Sequence, residues 1–470
     1  MPELVDISPQ PPERFESVLE PEQFERLAQG IRSARELLDG RAVWHVNSTA
    51  KGGGVVELLR PLLGYALGAR VDTRWAVIHG EPEFFRVTKR IHNNLHGFEG
   101  DGGPLGDAER EAYEGALVDN AQDLAGAVQA QDVVFLHDPQ TAGLVTPIKE
   151  TGATVIWRCH VGIDVPNELA RRAWGFLEPH VRQADAYVFS RRAFVWEGLD
   201  DDKINVIAPS IDAFSPKNRE LDAGTVTAVL AAAGIVDGAD PSGATFARGD
   251  GSQARVEHAA ELFEDQRLGP DDRIVLQVSR WDRLKDPRGV IEGFAEQGAV
   301  QTGAHLVYTG PAVEAVSDDP EGAEVLEESI ALRARLPEQA RRHIHLVALP
   351  MDDGEENAVI VNALQRQADV VVQKSIAEGF GLTVAEAMWK ARPVIGSRVG
   401  GIQDQIVDGE SGVLVDPHDV EAYGRAVREL LEDAGRAERM GKAAQQRVRG
   451  GFLGARSLLD YLELVRRLLR

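Results

Sequence analysis

The chain has 470 residues, 43% of them hydrophobic, and 51 basic against 75 acidic side chains give a net charge of −24. That length and apolar content suffice for two buried cores, while the charge opposes nonspecific attraction to nucleic acid or an anionic membrane, so an anionic ligand needs a local basic pocket. A single cysteine, Cys159, excludes an internal disulfide and cysteine-rich metal cages; the absence of a long apolar run, with an opening MPELVDISPQPPERFE that lacks a basic start and an apolar core, predicts a cytoplasmic enzyme.

Residues before about Gly40 read as one helix after a proline-rich lead, with apolar spacing on one face from Phe24 to Leu38. Ala42 to Val46 reads as a strand, and Gly52, Gly53 and Gly54 stand between it and a helix through Val55 to Ala66. Glycines there let the main chain pass close under a ligand, and they also serve ordinary tight turns. A strand at Thr73 to Ile78 precedes HGEPEFFRVTKRIHNNLHG, which carries Lys89 and Asn93. That segment suits either stacking and hydrogen bonding to sugars, or an amphipathic helix with Phe84 and Phe85 in the core. Phe98 to Gly106 is glycine-rich and acidic, an exposed loop.

Asp132 to Leu136 and Thr154 to Trp157 read as buried strands, ending respectively in His137-Asp138-Pro139-Gln140 and Arg158-Cys159-His160. Polar residues placed after strand ends are what a ligand crevice at the carboxyl edge of a doubly wound sheet requires. On that ground Asp138 and His160 are candidates for sugar contacts, each with a purely structural alternative. Further strands at Ala186 to Phe189 and Ile204 to Ala208 complete a first domain ending at Asp212. Leu221 to Gln266 is helix-prone, broken by a Gly/Asp/Ser-rich run from Gly238 to Ser252 that suggests a mobile surface insertion.

A second sheet starts at Arg273 to Val278 and is followed by SRWDRLKDP, where Arg280 and Lys285 could grip a diphosphate. Strands at His305 to Thr309 and Ile344 to Leu349 lead to ADVVVQKSIAEGFGLTVAEAMWKARPVIGSRVGGI, from Ala368 to Ile402. Here a strand at Val370 to Val372 and another at Pro393 to Gly396 flank Glu378, Gly379, Phe380, Gly381, Leu382, Thr383 and, in the first turn of a helix, Glu386. Two carboxylates around Gly-Phe-Gly, with free helix-start amides, suit a sugar nucleotide. Beyond Pro417 two helices are expected, the basic last one from Ala455 to Arg470 crossing back onto the first domain.

The glutamate stretch resembles the E-x7-E pattern of retaining GT-B glycosyltransferases, particularly family 4. Together WHVNSTAKGGGVVELL, EFFRVTKRIHNNLHG, HDPQ, WRCH, PSIDAFSPKN, SRWDRLKDP and EGFGLTVAEAMWKARPVIGSRVGGI resemble the trehalose glycosyltransferring synthases, from about Trp44 to the last helix. The loop at Phe98 to Gly106 and the insertion at Gly238 to Ser252 depart from the family pattern. The resemblance implies an α/β GT-B fold, two Rossmann-like domains facing each other across a cleft. The acceptor-side domain is 1–212, completed by 451–470, and the nucleotide-sugar-binding domain is 213–450.

It also implies transfer of glucose from a nucleoside-diphosphate glucose, with ADP or UDP, to free glucose, giving α,α-trehalose with retained configuration. Arg280 and Lys285 would bind the diphosphate, Glu386 the ribose and Glu378 the transferred glucose. Gly52, Gly53, Gly379, Phe380, Gly381, Leu382 and Thr383 would line the donor, and His160 would contact its sugar. Asp138, Gln140, Lys89 and Asn93 would face the acceptor. No cofactor or metal is implied, and a homodimer is compatible with the pattern. A retaining trehalose phosphorylase using glucose 1-phosphate, a transferase of another hexose or polyol, and an inactive sugar-nucleotide-binding protein are the alternatives.

Overall fold

The computed structural model describes residues 2–51, 53–313 and 320–470. The chain divides into two compact units, Met1–Ser210 with Phe452–Arg470, and Ile211–Gly451.

In the first unit the order is β1 (Glu3–Val5), α1 (Pro21–Leu37), β2 (Ala42–Asn47), α2 (Gly54–Gly68), β3 (Asp72–Val77), α3 (Pro82–Leu95), α4 (Asp107–Ala127), β4 (Val133–His137), α5 (Asp138–Thr141), α6 (Val145–Lys149), β5 (Thr154–Cys159), α7 (Glu168–Val181), β6 (Ala186–Phe189) and β7 (Ile204–Val206). The strands pair as β1-β3-β2-β4-β5-β6-β7, all parallel except β1, which adds to the edge antiparallel to β3. The central strands are buried and mostly apolar because both sheet faces are covered, with His45, His137 and Arg158 as enclosed polar exceptions. Trp44, Val46, Leu136 and Trp157 belong to one core, Val43, Phe135, Ile156 and Val188 to the other.

The second unit runs α8 (Ala223–Ala232), β8 (Thr245–Ala247), β9 (Gln253–Arg255), β10 (Glu261–Phe263), β11 (Ile274–Val278), α9 (Pro287–Glu296), β12 (His305–Pro311), α10 (Pro320–Arg335), α11 (Glu338–Arg341), β13 (Ile344–Leu349), α12 (Gly354–Gln367), β14 (Val370–Gln373), α13 (Leu382–Trp389), β15 (Val394–Ser397), α14 (Ile402–Gln405), β16 (Val413–Val415), α15 (Val420–Glu432) and α16 (Ala434–Gly451). Its sheet order is β10-β13-β12-β11-β14-β15-β16, parallel except for β10. The last helix, α17 (Gly454–Leu468), returns to the first unit, where Leu464 and Val465 join the core on the Phe135 face.

Both sheets are Rossmann-like, and their strand orders mark a candidate crevice in each. In an open parallel sheet the crevice lies beyond the carboxyl ends of the two adjacent strands at which the strand order reverses. Those strands are β2 and β4 in the first unit, β11 and β14 in the second.

Several expectations need correction. Three helices, not two, follow Pro417. The 238–252 run lies over a β8–β9 hairpin, and Arg248 pins it to α12 through Asp353 and, at 3.4 Å, Glu355. Glu261–Phe263, taken as helix-prone, is instead an edge strand on β13. Phe84 is buried, but Phe85, whose ring meets that of Phe84 edge-on at 5.3 Å, is 38% exposed. No helix among the described residues is long and apolar enough to cross a membrane.

Candidate active site

At the second unit's switch point, the turn after β11 and the loop after β14 are tied together. The Ile376 N–H donates to Leu284 O at 2.7 Å. Gln277, at the carboxyl end of β11, donates to the Lys285 carbonyl at 2.8 Å. Asp286 adopts a left-handed conformation (φ 48°) and caps α9 at Gly289, and its carboxylate is paired with the buried ammonium of Lys374. Lys285 is thereby held facing the loop, and its Nζ donates to Glu378 Oε2 at 2.6 Å, both side chains about 15% exposed. Arg280 is more open, 60% exposed, with Asp282 Oδ2 at 3.1 Å.

The loop itself is shaped by close backbone contacts. A Cβ at Gly400 would sit 1.7 Å from the Glu378 carbonyl oxygen, and Gly400 has φ 48°, so a side chain there is excluded twice over. The Gly401 N–H donates to Gly379 O at 2.9 Å, and Gln405 Nε2 to Phe380 O at 2.6 Å. Gly381, at φ 80°, is the residue before α13, so the amides of its first turn start at the loop. Phe380 is largely buried, Gly379, Leu382 and Thr383 are half-buried, and Thr383 Oγ1 donates to Gln373 at 2.8 Å.

Glu386 lies in the second turn of α13, not the first, and is 3% exposed. Lys217 Nζ is 3.6 Å from its Oε1. One turn on, the buried Lys390 ammonium donates to Asn218 Oδ1 at 2.9 Å, Gln365 Oε1 at 2.8 Å and the Glu386 carbonyl at 3.1 Å. Burial pushes Lys390 down to about 7. Lys217 and Lys390 were not identified from the sequence; the spacing Glu386 to Lys390, one helical turn, was the available clue.

In the first unit Asp138 follows β4 directly, with φ 63°. Its Oδ1 accepts the His160 N–H at 2.7 Å, and burial pushes its carboxyl up to about 7. Thus Asp138 and His160 are brought together. His160 is hydrogen-bonded in turn to His137, and His137 to His45, each at 3.0 Å. Burial holds His45 down to about 3 and keeps the other two rings neutral. Arg158, almost wholly enclosed, bonds Ser190 Oγ at 3.3 Å, and its Nε and Nη1 have no partner among the described residues. Gln140 is half-buried in α5. Lys89 is exposed and Asn93 half-buried on α3, which packs on α5; no hydrogen bond joins either to Asp138 or His160. Gly53 (φ 81°) precedes α2 and a Cβ there would meet nothing within 4 Å. Gly52 lies outside the described residues.

Each unit therefore offers polar groups where its strand order reverses. The second has a lysine–glutamate pair, a helix start and a buried second glutamate, suited to an anionic sugar ligand. The first has a carboxyl and a neutral imidazole, suited to hydroxyls.

Residues 45–196 match the family model for trehalose synthase, N-terminal domain, and residues 259–447 that for glycosyl transferases group 1. The trehalose synthase of Rubrobacter xylanophilus is 36% identical over 454 residues, 95% of this chain and 94% of that protein. A trehalose phosphorylase of Pleurotus pulmonarius is 26% identical over 443 residues, 89% of this chain and 56% of that protein. The solved structure of a UDP-forming α,α-trehalose-phosphate synthase from Burkholderia xenovorans, in complex with glucose-6-phosphate, aligns with TM-score 0.63 at 13% identity, over 91% of this chain and 100% of that one, a likeness of fold. The chain belongs to the trehalose synthase family, glycosyltransferases of the GT-B fold.

Proposed function

We propose that the protein transfers glucose from a nucleoside-diphosphate glucose to free glucose, forming α,α-trehalose with retained configuration. The observation that carries this reading is the 2.6 Å Lys285–Glu378 contact at the second unit's switch point. An ammonium, suited to a phosphate, beside a carboxylate, suited to sugar hydroxyls, supports this reading. Family membership and the relative named trehalose synthase support the product.

In this reading the second unit takes the donor. Lys285 and Arg280 bind the diphosphate and stabilise the charge that grows on it as the glycosidic bond breaks, usually the dominant source of rate enhancement in such catalysis. The amides from Gly379 to Thr383 add to that stabilisation, Glu378 holds the transferred glucose, and Glu386 accepts from the ribose hydroxyls. The first unit takes the acceptor through Asp138 and Gln140, with Lys89 and Asn93 at its margin, while His160 contacts the donor sugar and Gly53 lies under its phosphates. The departing phosphate oxygen receives the acceptor proton as the acceptor oxygen bonds to the same face of the sugar. Charge neutralisation is assigned to side chains and helix amides.

Incubation of the pure protein with a panel of nucleoside-diphosphate hexoses and candidate acceptors, followed by NMR of the products, reads donor, acceptor and anomeric configuration together. The expected product is α,α-trehalose from a nucleoside-diphosphate glucose and glucose. Trehalose breakdown only in the presence of phosphate, with no transfer from any nucleotide sugar, would replace this reading by the phosphorylase one.

A further inference from the structure

The strands flanking the first unit's switch point carry His45 and His137, and His160 follows β5. Their rings form a chain, His45 Nδ1 to His137 Nε2 and His137 Nδ1 to His160 Nε2, each 3.0 Å. Neighbouring rings lie 21° from coplanar with centroids 5.3 Å apart, the geometry of edge-to-edge hydrogen bonding. The far nitrogen of the last ring, His160 Nδ1, is buried without a partner among the described residues.

Burial disfavours a charge on any of the three rings, and the Arg158 guanidinium further repels one on His137 and His160. A neutral imidazole has one N–H and one lone pair. Each N···N contact needs one proton and no more, so the three rings share a single order. Either every proton is on Nδ1, or every proton is on Nε2.

The two ends of the chain differ. His45 lines an apolar cavity of about 90 Å3 together with Leu27, Leu63, Val71, Phe135 and Leu462, and its Nε2 has no hydrogen-bond partner among the described residues. His160 lies at the polar end, its backbone N–H on the Asp138 carboxylate. An unpaired N–H against apolar side chains is costlier than an unpaired lone pair in the same place. The Nε2 order would aim an N–H at that cavity; the Nδ1 order leaves only a lone pair there and puts the N–H on His160 Nδ1, which has no acceptor among the described residues and is open to one that a ligand brings.

We propose that His45 and His137 are positioning residues that hold His160 as a neutral Nδ1–H donor for a ligand oxygen. That the oxygen belongs to the transferred glucose rests on the functional reading above; the proton order does not.

Long-range proton–nitrogen NMR correlations of the full-length, histidine-labelled protein at neutral pH, without substrate, read the tautomer of each ring, with assignment by single substitutions. His45, His137 and His160 are expected as Nδ1–H. Any of the three found as Nε2–H, as a cation or as a mixture of tautomers overturns the proposal.

His45→Phe keeps a ring beside Phe135 but removes the first donor. It should turn His160 into a tautomer mixture and lower turnover about tenfold, the loss of roughly one hydrogen bond. His45→Asn, whose amide N–H can stand in for Nδ1–H, should restore the order and most of the rate. A rate loss in His45→Phe with His160 still Nδ1–H would sink the positioning role. Wild-type protein with the expected order but no sugar transfer would defeat the functional reading and leave the proton order standing.

Discussion

Lys285 and Glu378 are paired across 2.6 Å, yet an ammonium has three N–H groups and can keep the carboxylate while bonding a phosphate. Arg280 is 60% exposed and pairs with Asp282 Oδ2 at 3.1 Å. Both Arg280→Ala and Lys285→Ala are expected to cut turnover at least about a hundredfold, the usual scale for removing a donor that meets developing charge. Both should raise the donor KM, Lys285→Ala the more, because it also leaves Glu378 partly buried without its cation. Steady-state kinetics on variants with unchanged melting temperature check both; near-normal turnover in both would end the assignment. The positions of these residues after strand ends were legible because each lies in a recognisable motif. The link from His160 through His137 to His45 was not. It depends on β4 lying between β2 and β5, a neighbour relation that no local spacing encodes.

Among the elements, the long apolar strands and the strongly periodic helices were readable, since several residues repeat the same environment. Three-residue strands were not. Glu261–Phe263 alternates too briefly to declare itself, and what makes it a strand is the edge offered by β13. The break between α15 and α16 falls at Asp433, a polar residue with a cap role, Oδ1 accepting the Arg436 N–H at 2.8 Å, inside a pattern that otherwise continues as helix. Glu386 was placed one turn early because α13 begins at Leu382, directly after the left-handed Gly381. The loop from Glu378 to Gly381 owes its shape to the neighbouring glycines, which gives them a measurable role. Gly400→Ala puts a Cβ into the Glu378 carbonyl and strains a positive φ. The expected result is a folded protein with donor KM raised about tenfold or more, roughly the worth of one displaced hydrogen-bonding group. Donor affinity equal to wild type by calorimetry would show that the loop tolerates the shift.

At the scale of the whole chain, alternating strands and helices disclosed two Rossmann-like sheets, but the strand orders that mark the candidate crevices are set by which crossovers pass each sheet face, and those were not readable. The units also differ in how the chain supplies them. Ile211–Gly451 is contiguous, whereas the first unit is completed by Phe452–Arg470. Without α17 the Val43, Phe135 and Val188 face of the first sheet would lose Leu464 and Val465, and Tyr461 would leave its edge-on contact with Phe135 at 5.4 Å. Leu464→Ala should therefore cost roughly 2–5 kcal/mol. For a unit of about 200 residues that lowers the midpoint of its unfolding by roughly 5–15 °C. Ending the chain at Gly451 should go further, exposing the β2 and β4 amides to hydrogen exchange while those of β11 and β14 keep their protection, because the second unit's core of Val275, Phe294, Tyr308 and Val427 draws nothing from the last helix. Mass-spectrometric exchange on the truncated and full-length proteins decides it. Equal protection of β2 and β4 in both would mean that α1 and α2 alone cover that face and that the returning helix is dispensable.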